Sequence, residues 1–210
     1  MGRDNYASEA TVELMKVGIF GGTFNPIHFG HLLLAETARE VLLLDRVLFI
    51  PAGRPPHKRV PGLLDGSVRL RMIRLAIKGH PGFAASDLEL QRPGPSYSID
   101  TVTALARSLP QAKLFLLMGQ DMLGVRWVAW RQLQQLCTIA AARRQGSRRV
   151  RAERGIRWLD MPLVDMASSD IRARVAANRS IRYLVPAAVE RYIRRHRLYQ
   201  AAGGARLRWR

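Results

Sequence analysis

The chain has 210 residues, 48% of them hydrophobic, and a formal net charge of +18. That length suits one domain with its own core, and the composition excludes a disordered polymer; no run reaches the ~18 apolar residues that a membrane span needs. A single cysteine, Cys137, excludes an intrachain disulfide, and the first fifteen residues hold no apolar leader, so a cytoplasmic protein is expected.

Residues 1–15 read as a flexible N-terminal extension, with Met15-Lys16 opening the first apolar run. "KVGIF" (16–20) predicts a short buried strand, and "HLLLAETAREVLLL" (31–44) places its apolar residues at helical spacing. "RVLFIPA" (46–52) is a second strand, stopped by Pro51 and Gly53, and "RPPHKRVPG" (54–62) is a basic loop. "SVRLRMIRLAIKG" (67–79) is amphipathic, with Leu70, Ile73 and Ile77 on one face and arginines opposite. "FAASDLEL" (83–90) predicts a third strand, and "YSIDTVTALARSL" (97–109) a helix entered through capping side chains. "KLFLLMG" (113–119), "CTIAAARR" (137–144) and "IRWLDMP" (156–162) are strands. "SSDIRARVAAN" (168–178) and "PAAVERYIRRH" (186–196) are helices, the second with Pro186 in its first turn. Residues 200–210 read as a flexible basic tail, and the arginine-rich stretch 143–157 as an exposed loop.

Strands thus alternate with helices. The pattern predicts an α/β domain over 16–199, built as a Rossmann-like doubly wound parallel sheet, with a small C-terminal helical portion at about 168–199. In such sheets ligands bind at the carboxyl ends of the strands. "GIFGGTFNPIHFGH" (18–31) leaves the first strand there. Gly21 and Gly22 allow a tight turn and close backbone approach, and a helix start offers free amides to an anion. His28 and His31 share a helix face, with Gly30 between them leaving space for a bulky group. The spacing matches neither GxGxxG nor the P-loop. Zinc ligation ranks below phosphate binding, because no cysteine or carboxylate stands nearby to complete a ligand set.

"GGTFNPIHFGH" resembles the HxGH signature of the nucleotidylyltransferase superfamily. Five further segments, "PAGRPPHK" (51–58), "PSYSIDT" (95–101), "MGQDML" (118–123), "ASSDIR" (167–172) and "YLVPAAVERYI" (183–193), come in the order seen in bacterial nicotinate-nucleotide adenylyltransferases. The resemblance implies transfer of AMP from ATP to nicotinate mononucleotide, giving deamido-NAD and pyrophosphate without a covalent intermediate. It implies Mg²⁺ carried with ATP. His28 and His31 would be catalytic, contacting the ATP phosphates. Gly21, Gly22, Thr23, Phe24, Gly30, Gly119, Asp121, Ser169, Ile171 and Arg172 would bind ATP. Within that set Gly119 and Asp121 match the pair that touches the ribose. Tyr97 and Ser98 would read the nicotinate carboxylate and Trp130 would face the pyridine ring. Lys58 and His57 match the basic loop near the substrate phosphates, and Arg143 a frequent arginine after its strand. The chain departs from the family at Asn25, where aspartate is common, at Ala167, where serine is, and at Gln145, where proline is.

Rival readings remain at this level. A pantetheine-phosphate adenylyltransferase is usually shorter and lacks the PPHK and PSY segments. Nicotinamide mononucleotide would need a hydrogen-bond acceptor as well as donors. The charge of +18 and seven arginines within 143–157 could attract RNA, but without interleaved aromatics such binding is electrostatic and incidental. Much of the charge can equally be a solvated surface.

Overall fold

The strand Met15–Gly22 (β1) lies at the centre of the sheet. In the computed structural model, which describes residues 14–56, 61–144, 155–162 and 164–200, β1 runs parallel to Arg46–Pro51 (β2) on one side and Ala112–Gly119 (β4) on the other. Phe83–Ala85 (β3) extends the sheet beyond β2; Thr138–Arg144 (β5) and Ile156–Met161 (β6) extend it beyond β4. All pairings are parallel and the order is β3-β2-β1-β4-β5-β6. A parallel sheet is covered on both faces, which is why β4 reads as an unbroken apolar run, Leu114 to Met118, all buried.

The helices are Phe29–Leu42 (α1), Gly66–Ala76 (α2), Ser98–Ser108 (α3), Trp130–Leu136 (α4), Ser168–Ala176 (α5) and Ala187–Arg195 (α6), with a 3₁₀ turn at Gln120–Gly124. Two cores separate along the sheet. Phe20, Phe49, Phe115, Leu117 and Leu159 point to the face that receives α1, α2, α5 and α6. Val17, Ile19, Leu114, Leu116 and Ile139 point to the other, where Val102, Leu105 and Leu133 of α3 and α4 pack. The C-terminal helices therefore share the main core through Ile171, Val175, Val189 and Ile193.

Several local expectations are corrected. Met15 already pairs with Ala112, so the strand reaches into the segment read as an extension; residues 1–13 and 201–210 lie outside the described residues, as do 145–154 of the arginine-rich stretch. β3 stops at Ala85, because the chain turns at Asp87, whose carbonyl accepts from the amides of Leu90 and Gln91. The entry of α3 has no side-chain cap: its N-cap is Tyr97, and the Ser96 hydroxyl is occupied by the amides of Gly53 and Arg54 at 2.8 and 3.2 Å. α4 carried no start signal, since its N-cap is Ala129 in a left-handed conformation with φ of 54°. Arg69, read on the solvent side of α2, is only 1% exposed.

Candidate active site

The chain steps outward from β1 to β2 and β3, then returns to lay β4 on the other side of β1. That reversal leaves a crevice beyond the carboxyl ends of β1 and β4, the place where open parallel sheets bind ligands. The turn from β1 into α1 forms one wall. Nothing lies within 4 Å of the position a Cβ would take at Gly21, so its backbone is open to a ligand. Phe24 takes φ of 46° and is fully buried, its ring packing edge-on to Phe20 with centroids 5.4 Å apart. Only the backbone of Phe24 can therefore face the crevice.

His28 caps α1 and His31 follows in its first turn. Their rings stack at 3.7 Å with 28° between planes, and His31 meets Phe24 edge to face, centroids 5.0 Å apart. Gly30 lets the pair form: a Cβ there would lie 3.1 Å from His28 Nδ1, so the space is taken by the imidazole itself. The His28 amide donates to His31 Nδ1 at 3.3 Å. A neutral His31 with Nδ1 accepting must carry its proton on Nε2, which makes that edge a donor. Burial first, and the His28 ring second, hold His31 well below the ordinary imidazole value of 6.5. Near neutral pH it is a neutral N–H donor. His28 is buried at 5% exposure whereas His31 is half-buried, so His31 is the more accessible of the two.

The other candidates come from distant parts of the chain. On α5, Ser168 donates to the Pro26 carbonyl and the Arg172 guanidinium to the Asn25 carbonyl, each at 2.9 Å. Ser169 is exposed beside them, with its hydroxyl 3.5 Å from Asp170. At the end of β4, the missing side chain of Gly119 leaves room for the Asp121 carboxylate, which folds back over it. The β2 exit and the 95–98 segment are joined by Ser96, whose hydroxyl accepts from Gly53 and Arg54 and whose amide donates to the Arg54 carbonyl.

The chain matches the cytidylyltransferase-like family over residues 19–174. It is 44% identical to a "probable nicotinate-nucleotide adenylyltransferase" of Thermomicrobium roseum over 198 residues, covering 89% of this chain and 92% of that protein. A protein of the same description from Thermus thermophilus is 45% identical over 188 residues, with 89% and 100% covered. The chain belongs to the bacterial nicotinate-nucleotide adenylyltransferase family. Its fold is shared by the nicotinic acid mononucleotide adenylyltransferase of Plasmodium falciparum, solved in complex with NaAD, at a TM-score of 0.74, 15% identity, and 88% and 97% coverage.

Within this adenylyltransferase the remaining candidates take definite places. Ile171 is fully buried in the main core, so only its backbone can serve ATP. The Thr23 carbonyl accepts from Arg69. Trp130 opens α4, half-buried against the second core, with Trp127 at 5.6 Å and tilted 44°. Trp127 donates its indole N–H to the Met122 carbonyl at 2.7 Å, which makes Trp127 the anchored ring of the two. Tyr97 and Ser98 stand at the start of α3. Arg143 lies over the Trp158 ring at 4.8 Å and 3.9 Å from Asp160, at the β5–β6 edge. His57 and Lys58 lie outside the described residues.

Sequence reasoning missed two supporting groups. Arg69 donates to the carbonyls of Thr23, Ala52 and Leu64 at 2.8, 2.7 and 2.9 Å, tying the β1 and β2 exits to the start of α2. Glu89, 5% exposed, accepts from Thr101 at 2.7 Å and braces the 95–101 segment; burial pushes its carboxyl up. The run "LRMIRL" gives no sign that one arginine turns inward, and a glutamate in a loop reads as solvated.

The depressed His31 value sets a pH dependence. Its folded value lies below its unfolded value of 6.5, so on acidification the unfolded chain takes up the proton first. The contribution to stability is whole above about pH 6.5 and declines below it. The melting temperature of wild type should fall more between pH 7.5 and 5.5 than that of His31→Asn; equal falls would contradict a depressed His31.

Proposed function

We infer that the protein transfers AMP from ATP to nicotinate mononucleotide, forming deamido-NAD and pyrophosphate in NAD biosynthesis. The family carries the choice of reaction. The stacked His28–His31 pair over an open glycine turn, at the point where the strand order reverses, is the structural observation that supports it.

The nucleophile is a phosphate oxygen of the mononucleotide, already ionised at neutral pH. It attacks the α-phosphorus of ATP; a phosphorus–oxygen bond forms and the bond to pyrophosphate breaks, with its electron pair leaving on pyrophosphate. No base is needed, so the protein's task is alignment and stabilising charge on the transferring group. His31 Nε2–H donates to the phosphate oxygens, the Gly21–Gly22 backbone lets them approach, and the first turn of α5 with Ser169 and Arg172 receives the distal phosphates. Asp121 accepts from the ribose hydroxyls. Mg²⁺ enters with ATP as part of the substrate, since the imidazole, amide and hydroxyl donors at the β1 exit suit phosphate oxygens, and the metal prefers the phosphates themselves.

For the acceptor, Trp130 presents a flat face to the pyridine ring, and Tyr97 and Ser98 offer hydroxyl and amide donors to its carboxylate. Lys58, His57 and Arg143 complete the reading as hydrogen-bond donors toward the mononucleotide. A single cysteine, buried and free, supports reading the enzyme as one of a reducing cytoplasm. Among the described residues no helix is long and apolar enough to cross a membrane.

The purified protein with ATP, Mg²⁺ and nicotinate mononucleotide should release pyrophosphate, and do so faster than with nicotinamide mononucleotide. No release with either overturns the reading; preference for the amide overturns the choice of acid. Trp130→Ala should raise KM for the mononucleotide about tenfold, the size of a lost ring contact, with KM for ATP little changed. Steady-state kinetics with each substrate varied in turn checks this.

A further inference from the structure

Asn25 is 1% exposed, yet it lies in the turn that joins the open glycines to the histidine pair. Its side chain is a junction. Nδ2 donates to the Gly62 carbonyl at 3.0 Å, while Oδ1 accepts the Tyr199 hydroxyl at 2.8 Å and faces the Leu64 amide at 3.4 Å. Its own carbonyl accepts from Arg172. One residue of the turn thus meets the approach to α2, the first turns of α5, and a residue 174 positions further along the chain.

Tyr199 reaches this junction by an uncommon route. After α6 the chain reverses through Arg197 and Tyr199, both left-handed with φ of 52° and 63°. Residues other than glycine rarely take that conformation, and surrounding contacts must hold them there. The Leu198 amide on the Ile193 carbonyl and the Tyr199 hydroxyl on Asn25 are such contacts. Burial pushes the Tyr199 phenol up, so it stays a donor across the working pH range.

We propose that Asn25 and Tyr199 form a latch that holds the β1–α1 turn in its ATP-binding position, so that the segment after α6 positions the phosphate cradle. The proposal rests on the adenylyl-transfer reading only in taking ATP as the ligand. Two features favour a positioning role over plain packing. The junction needs an amide: a carboxylate at position 25 has no hydrogen for the Gly62 carbonyl. Residues 21–31 also hold no carboxylate, so Arg172 on the Asn25 carbonyl and Arg69 on the Thr23 carbonyl bring two guanidinium groups to a turn with no acid of its own. Such a turn is an electropositive seat for an anion once it is held in place.

The test is a double-mutant cycle on ATP affinity. Mg²⁺-ATP is titrated into wild type, Tyr199→Phe, Asn25→Ala and the double variant without the second substrate, and steady-state constants and melting temperatures are measured alongside. Tyr199→Phe keeps the ring in the core and removes only the hydroxyl. It should weaken ATP binding about five- to tenfold, the worth of one hydrogen bond, with KM for the mononucleotide within about twofold of wild type. In the Asn25→Ala background the same change should alter ATP affinity by less than about twofold. ATP affinity within about twofold of wild type in Tyr199→Phe overturns the latch, even if its melting temperature falls. Effects that multiply in the double variant also overturn it. Tyr199→Phe decides alone if Asn25→Ala does not fold. A wild type that binds ATP but makes no pyrophosphate with nicotinate mononucleotide overturns the acceptor assignment, and the latch is then judged on ATP affinity alone.

Discussion

His31→Ala should lower kcat by about 10²–10³-fold, the cost expected for removing one preorganised donor to developing charge. The ring of His31 is held by the His28 amide at Nδ1, by stacking on His28 and by edge contact with Phe24. Nothing has to be reorganised when charge builds on the transferring phosphoryl group, and alanine removes the donor outright. The fold survives. The loss to stability is the cap contact at the start of α1, about 1 kcal/mol, or about 2–4 °C in melting temperature for a chain of this size. Turnover within a few fold of wild type would show that the charge is stabilised elsewhere. With His31 acting as a neutral donor, as proposed, activity should also persist as pH rises from 6.5 to 8, where a mechanism needing a protonated imidazole would lose it.

Arg69→Met should destabilise the protein by about 3 kcal/mol, since the buried Ala52 carbonyl and the part-buried carbonyls of Thr23 and Leu64 lose a charged donor together and each hydrogen bond to a charged group contributes about 1.5–3 kcal/mol. Methionine fills much of the space, so the effect reports hydrogen bonding more than a cavity. Arg69→Lys should recover little of it, because a compact ammonium cannot span carbonyls from three segments as a planar guanidinium does. Urea unfolding measures both variants. A loss under about 1 kcal/mol for Arg69→Met would mean that the three carbonyls find other partners. The consequence reaches the site, as the Thr23 carbonyl belongs to the turn that carries the glycines.

Much of this was legible before any coordinates. The alternation of strands and helices, with an unbroken apolar run at 114–118, marked a parallel sheet covered on both faces. The glycine pair followed by two histidines three apart was visible as a candidate anion contact, and it falls where β1 passes into α1. Other features depended on tertiary contact that no local pattern encodes. Helix α4 begins at a left-handed alanine, which no capping rule selects. Arg69 sits one residue from the apolar stripe of α2, and only the convergence of three loop carbonyls makes burying it favourable. The histidines were visible as a pair, but their stacking and unequal exposure follow from Gly30 and Phe24 packing around them. Asn25 stood out as a departure, yet its partner Tyr199 lies beyond the last helix, where periodicity is silent.

A crystal structure of the protein with Mg²⁺ and a non-hydrolysable ATP analogue tests the central claim most directly. The account predicts the triphosphate against the Gly21–Gly22 backbone, within hydrogen-bond distance of His31 Nε2, and reaching the first turn of α5. A nucleotide bound elsewhere, with His28 and His31 still stacked on each other and touching none of its oxygens, would contradict it.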